Sequence, residues 1–155
     1  MPFELLNPKG LERPIGYAHV AKVTGGSIVY VAGQAPFDEM GHVVGRGDFV
    51  AQFAQVILNL RTAVEAAGGH PHQYAALTIY ITDVQAYLNN KNELGRVYRD
   101  VFGKYFPAIT LIQVGSLYNP DCMFVSRRKI PFLGSRAVLI RANPEDNARI
   151  ALFFN

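Results

Sequence analysis

Few side chains in this sequence stand where chemistry would want them, and each has a plainer structural explanation beside it. His70-Pro71-His72 places two imidazoles two positions apart, a start on a metal site that still needs a third ligand and usually a fourth. The other histidines, His19 and His42, fall on a predicted strand and in a predicted loop with no motif joining them to that pair. The Gly-Pro loop therefore reads as solvated surface, and no metal is expected there. Cys122, beside Asp121, is the single cysteine. A nucleophilic role would need a nearby base and a lowered thiol pKa, whereas a lone cysteine at the start of a strand reads more simply as a small buried apolar group. Tyr17 follows Gly16 at the start of a strand, where its hydroxyl could reach a cleft or merely sit half-buried. Gly33 and Gly41 belong to no phosphate-loop spacing, and no serine sits in a nucleophile elbow. Arg46-Gly47-Asp48 spells an adhesion tripeptide, but a turn followed by an N-cap accounts for it.

The stretch from Phe106 to Leu117 is the best mount for a pocket-lining group. Its second half alternates, with Leu111, Gln113 and Gly115 on one face and Ile112, Val114 and Ser116 on the other. Pro107 ends the preceding helical run and pushes Phe106 toward an extended conformation. A rigid strand reached through an open Pro-Ala turn can hold a side chain in a cleft. The slot after the turn is filled by Ile109, which can neither ionise nor donate a side-chain hydrogen bond. Thr110 and Leu111 follow it.

These residues must be positioned by the elements around them. Residues 1–15 read as an irregular lead-in punctuated by Pro2, Pro8, Gly10 and Pro14. Tyr17–Val23 alternates as a strand, Gly25-Gly26 turns the chain, and Ser27–Ala32 returns as the β-prone partner of a hairpin. Asp48 then caps a helix whose stripe is Phe49, Phe53, Val56, Ile57, Leu60, Val64 and Ala67, stopped by Gly68-Gly69. Ala75–Thr82 is a strand. A second helix lies within Tyr87–Tyr105, with Leu94, Val97, Tyr98, Val101 and Phe102 as its buried face. The 106–117 strand follows as a central strand, and Met123-Phe124-Val125 opens another. Helices inserted between strands of one sheet predict an α+β two-layer sandwich: a mixed sheet of about six strands, two helices on one face, order ββαβαββ.

Composition bounds the rest. The 155 residues are half apolar and 17% charged, which suits one globular domain with a real core. No apolar run approaches the ~18 residues of a membrane span, and the first residues lack the basic and apolar segments of a signal peptide. A single cysteine fits a reducing, cytoplasmic setting. The net charge of +3 is uneven: residues 1–125 carry nine Lys/Arg against ten Asp/Glu, and residues 126–155 carry six against two. The basic character thus belongs to the last residues, where a solvated end explains it better than nucleic-acid binding.

Five motifs in register resemble one family. They are Gly16-Tyr17 before the first strand, Val31-Ala32-Gly33-Gln34-Ala35-Pro36 ending the second, and Ala66-Ala67-Gly68 closing the helix. The others are Thr78-Ile79-Tyr80-Ile81-Thr82-Asp83, and Phe106-Pro107-Ala108 followed by Val114 and Leu117. Together, over about residues 16 to 125, they resemble the Rid family (RidA, YjgF, L-PSP). The resemblance implies a chorismate-mutase-like fold and a homotrimer with clefts between subunits. It also implies hydrolysis of amino-acid-derived enamines and imines to ammonia and a 2-keto acid, without metal or organic cofactor. Some relatives are described as ribonucleases or translation inhibitors, which supplies a second functional class.

Two departures weigh against the deaminase. Active members have an arginine in a Pro-Ala-Arg-Ser motif, whose planar fork holds the substrate carboxylate; here the motif is Pro107-Ala108-Ile109-Thr110. A last-strand glutamate that positions water in the family corresponds to Val125. The resemblance therefore implies a ligand cleft lined by Tyr17, Ala32, Gly33, Ile109, Thr110 and Leu111, apolar at its centre, for a small imine, enamine or 2-keto acid. Efficient deaminase activity is not expected. Arg127 or Arg128 is the substitute clamp that would restore it.

The family pattern fits 1–125 as a Rid-like domain and leaves 126–155 as a divergent extension. Beyond Val125 the periodicity loosens, although Arg136–Arg141 and Ala148–Phe154 are strand-like. The extension reads either as completing the sheet or as a shifted reading frame, and the abrupt change after Met123 favours the latter.

Overall fold

Asp48 begins the element on which the rest is laid. Its extended backbone (φ −106°, ψ 103°) and its carboxylate, which accepts from the Ala51 N–H at 2.9 Å, cap helix α1, Phe49–Ala66. In the computed structural model, which describes residues 3–132, the stripe Phe49, Phe53, Val56, Ile57, Leu60 and Val64 is buried. The helix ends where Gly68 adopts φ 75° and the Gly69 N–H reaches back to the Val64 carbonyl at 2.9 Å.

The strands are β1 (Phe3–Leu6), β2 (Val20–Val23), β3 (Ser27–Gln34), β4 (Ala76–Ile81), β5 (Ala108–Gln113) and β6 (Phe124–Phe132). The last four form one mixed sheet in the order β3-β6-β4-β5, with β6 antiparallel to both neighbours and β4 parallel to β5. On β4, Leu77, Ile79 and Ile81 are buried against the helices, while Ala76, Thr78 and Tyr80 point to the other face. Phe124 on β6 is fully buried, its ring 4.2 Å from that of Phe49 and 5.2 Å from that of Phe53. Contacts of this kind fuse the two layers, and truncating such a ring to alanine costs about 3–5 kcal/mol. The architecture is the α+β two-layer sandwich expected from the alternation of elements.

Several details differ from the sequence reading. The expected β2–β3 hairpin does not form. β2 pairs with β1, in the stretch read as irregular, and makes a separate two-stranded ribbon. Gly25 and Gly26, at φ 71° and 80°, turn the chain as anticipated, but β3 takes its ladder from β6. That choice aligns Val29 and Val31 on the helix side, where a long antiparallel partner gives more burial than the four-residue β2. The six strands are thus divided between two sheets.

The second predicted helix is two. Asp83 caps α2 (Val84–Asn89) by accepting from the Ala86 N–H, and Asn90 (φ −108°, ψ 10°) breaks the chain before α3 (Lys91–Phe102). The Asn90 amide closes α2 by donating to the Ala86 carbonyl at 2.8 Å, the kind of local bond by which asparagine competes with a helix. On α3, Leu94, Tyr98 and Phe102 are buried and Val97 and Val101 pack beside them, as the spacing predicted. β5, read as central, is an edge strand hydrogen-bonded only to β4 among the described residues; the chain crosses over through α2 and α3 to reach it in parallel.

The basic stretch beginning at Ser126 continues β6 to Phe132, between β3 and β4. Polarity had hidden it. The strand-like segments Arg136–Arg141 and Ala148–Phe154 lie outside the described residues. The helix-free face of the sheet exposes Ile28 (52%), Tyr30 (69%) and Ile112 (40%). Among the described residues, no helix is long and apolar enough to cross a membrane.

Candidate functional site

The start of β5 is fastened from two sides. The ring of Phe106 stacks on Tyr98 (centroids 5.4 Å apart, 11° between planes), and the Tyr98 hydroxyl donates to the Tyr105 carbonyl at 2.7 Å. On the other side the buried Ala18 donates its N–H to the Pro107 carbonyl at 2.6 Å. That bond brings the 16–19 segment against the Pro-Ala turn. Tyr17 therefore does not open a strand, as its alternation suggested; β2 begins at Val20, and Tyr17 sits in the loop docked on β5.

Around Tyr17 a small polar cluster forms. Its hydroxyl donates to Glu12 Oε1 at 2.7 Å, and this bond, with lesser help from the carboxylate's charge, raises the phenol pKa and keeps it neutral. His19 Nε2 lies 2.9 Å from the Glu12 carbonyl, and the His19 backbone N–H donates to Asn7 Oδ1 at 3.0 Å. The Tyr17 and His19 rings meet edge to face, centroids 5.3 Å apart.

On β5, Ile109 is in register with Leu77 and Leu111 with Ile79; both are half-buried and pack against the core under the helices. Thr110, in register with Thr78, points to the open face and is exposed. The alternation read from the sequence holds along the strand. Its consequence is that Ile109 turns toward the helix layer.

Ala32 and Gly33 lie elsewhere. Both are exposed on β3, at the irregularity where the pairing with β6 shifts between Val31 and Gln34. A Cβ on Gly33 would come 3.0 Å from Val125 Cγ1, so glycine here permits a close approach of the two strands. Gly33 and Val125 are thus brought together. With β6 and β4 between them, however, β3 and β5 stand about three strand spacings apart, about 14 Å. The structure gathers Tyr17 with the start of β5, and Ala32 with Gly33 and Val125, but not these two groups with each other. The candidate substitutes Arg127 and Arg128 lie on β6 in register with Thr78 and Leu77.

The remaining sequence candidates have structural roles. Cys122 is 2% exposed, and burial, reinforced by Asp121, raises its thiol pKa; it is inert core. His72 lies against Gly103 and edge-on to Tyr105, and His42 pairs with Asp38 at 3.5 Å. Among the described residues, no three His, Cys, Asp or Glu side chains come together in a metal-binding group. Asp48 of the Arg-Gly-Asp triplet is the α1 cap, and Arg46 pairs with Asp121 at 3.3 Å.

Two residues escaped the sequence reading. Glu12 gave no local signal, because a loop contact five residues away carries no periodicity. Gln52 did: it is a polar residue inside the apolar stripe of α1. Fully buried, it donates from Nε2 to the Asp121 carbonyl and accepts at Oε1 from the Met123 N–H, both at 2.7 Å. It ties α1 to the loop that leads into β6.

Comparison with known proteins agrees with this architecture. The family model described as Endoribonuclease L-PSP matches residues 12–124. A RutC family protein of Pyrococcus abyssi is 34% identical over 119 residues, 76% of this chain and 88% of that protein. The solved structure of YyfB from Yersinia pestis, described as a protein of unknown function of the conserved Rid family, superposes with a TM-score of 0.77 at 24% identity. It covers 85% of this chain and 100% of its own. RidA from an Antarctic Psychrobacter superposes with a TM-score of 0.59 at 26% identity, covering 83% and 98%.

Proposed function

Because this chain belongs to the Rid, or endoribonuclease L-PSP, family, we propose that it acts as a cytoplasmic homotrimer. Each inter-subunit cleft would take a small amino-acid-derived imine, enamine or 2-keto acid, without efficient imine deaminase activity. The observation that carries this reading is the separation of the two half-sites. Tyr17 and the start of β5 stand at one edge of the sheet, Ala32 and Gly33 at the other. A cleft using both groups draws them from different copies of the chain, and the exposed Ile28, Tyr30 and Ile112 give a second copy an apolar face to cover.

The lack of deaminase activity rests on Ile109. A guanidinium at this position would clamp a carboxylate in two charge-assisted bonds, worth about 2–4 kcal/mol in binding before any effect on orientation. Ile109 instead packs toward the helices, and the family resemblance puts Val125 at the position of the carboxylate. Substrate would be neither clamped nor supplied with an activated water.

The test is to generate 2-iminobutanoate or 2-iminopropanoate enzymatically and follow its loss with the native chain and with Ile109→Arg. Sedimentation should give a trimer. No acceleration by the native chain is expected, and a gain in the folded variant would place the lost chemistry at position 109. Acceleration by the native chain would overturn the reading, and its loss in Arg127→Ala or Arg128→Ala would identify a substitute clamp. A second reading, RNA binding or cleavage, draws on the family's description and on the run Arg127-Arg128-Lys129 in β6. It predicts activity that falls steeply with salt.

A further inference from the structure

We infer that Glu12, Tyr17 and His19 form a recognition site for a protonated nitrogen, so that the ligand of this cleft is held by its ammonium or iminium end. The inference rests on the proposed cleft at the start of β5 and names the chemistry it selects. Glu12 spends one carboxylate oxygen on the Tyr17 hydroxyl and makes no ion pair among the described residues. Its charge therefore remains available to a cation. A backbone carbonyl can only accept, so His19 Nε2, 2.9 Å from the Glu12 carbonyl, carries the proton. The Tyr17 ring, edge to face with His19 at a centroid distance of 5.3 Å, is an aromatic group of the kind that attracts a cation.

Backbone bonds hold the cluster's loop in place. Asn7 accepts from the His19 N–H, and the Ala18 N–H is bonded to the Pro107 carbonyl at 2.6 Å. On β5 the residue at position 109 is an isoleucine packed toward the helices, so the turn gains no positive charge from it. A ligand carboxylate approaching this loop meets the Glu12 carboxylate, whereas an ammonium finds there an opposite charge and the Tyr17 ring. Placed this way, the charge preference at the mouth is the reverse of an arginine clamp.

The probes are n-butylammonium and 2-oxobutanoate, each titrated into the full chain and followed by amide chemical shifts. Saturable shifts in residues 12–19 and 107–110 are expected with butylammonium, and none with 2-oxobutanoate. Glu12→Gln, at an exposed position, keeps the hydrogen-bonding shape and removes the charge; it should weaken the amine about tenfold or more. Binding of 2-oxobutanoate alone would overturn the inference while leaving the cleft reading intact. Binding of neither probe would overturn both. Amine binding that is unchanged in Glu12→Gln would also overturn the inference, by placing the amine elsewhere.

Discussion

Replacing Gln52 with leucine removes both ends of one buried amide at nearly constant volume, and the cost can be worked from its contacts. Gln52 is fully buried, and its two hydrogen bonds, each 2.7 Å, satisfy the Asp121 carbonyl and the Met123 N–H. Leucine leaves both backbone groups without that partner, at about 1–3 kcal/mol each, and returns only part of this through its apolar burial. The expected loss is about 2–5 kcal/mol, a large share of the stability of a domain this size. It should lower the melting temperature by on the order of 10 °C. Gln52→Glu separates hydrogen bonding from packing. A carboxylate can accept from Met123 but cannot donate to Asp121 until it is protonated, and burial raises its pKa in the folded state. Its penalty should therefore be small at low pH and grow as pH rises from the ordinary carboxylate range through the raised folded value. Urea unfolding of the native chain and both variants across pH would read this directly. A Gln52→Leu variant within 0.5 kcal/mol of native (~0.5 being typical of surface changes), or a pH-independent Gln52→Glu, would refute the claim that this amide holds the loop before β6.

Two other outcomes follow from close contacts. Gly33→Ala brings a Cβ to 3.0 Å from Val125 Cγ1 and should cost about 1 kcal/mol or more; adding Val125→Ala should relieve that contact, and strict additivity in the double-mutant cycle would deny it. Cys122, buried and with a raised thiol pKa, should resist a thiol-specific disulfide reagent at mildly alkaline pH until the chain is unfolded; prompt reaction in the folded state would show it exposed.

How much of this was legible in the sequence depended on whether the signal was local. The α1 stripe from Phe49 to Val64 and the α3 face of Leu94, Tyr98 and Phe102 are written in helical periodicity, and the structure buries both. Asp48 was readable as a cap because capping chemistry is confined to one turn. Strand partnership is a different kind of fact. β3 pairs with β6 from the far end of the described chain, and nothing within Ser27–Gln34 says so. The adjacent β2 was the natural guess. Charge misled at Ser126–Lys129, where a polar run interrupts the apolar pattern of an interior strand although the ladder bonds both edges of it. At the candidate site, the motif around Tyr17 and Pro107 was visible, and the Ala18–Pro107 bond joins its halves. The role of Glu12 was not, because it depends on how a loop folds back.

The position of Ile109 ties these strands of reasoning together. In register with Leu77 and packed toward the helices, it contributes apolar burial worth about 1 kcal/mol for a half-buried aliphatic side chain. A guanidinium could not share that environment without desolvation, so an arginine at this position would have to snorkel away from the helix layer to reach a ligand. One backbone position cannot serve the core and a carboxylate equally well. Isoleucine resolves the conflict in favour of the core, and it leaves the charge at the mouth of the proposed cleft to be set by the loop that docks there. That loop carries Glu12, so the substitution at 109 and the carboxylate at 12 act in the same direction. In the proposed site Glu12 disfavours a ligand carboxylate and Ile109 offers it no clamp, so that together they favour a ligand that presents nitrogen. Combining Ile109→Arg with Glu12→Gln should therefore convert the preference more fully than either change alone. A double variant that still preferred butylammonium to 2-oxobutanoate would show that neither residue governs the choice.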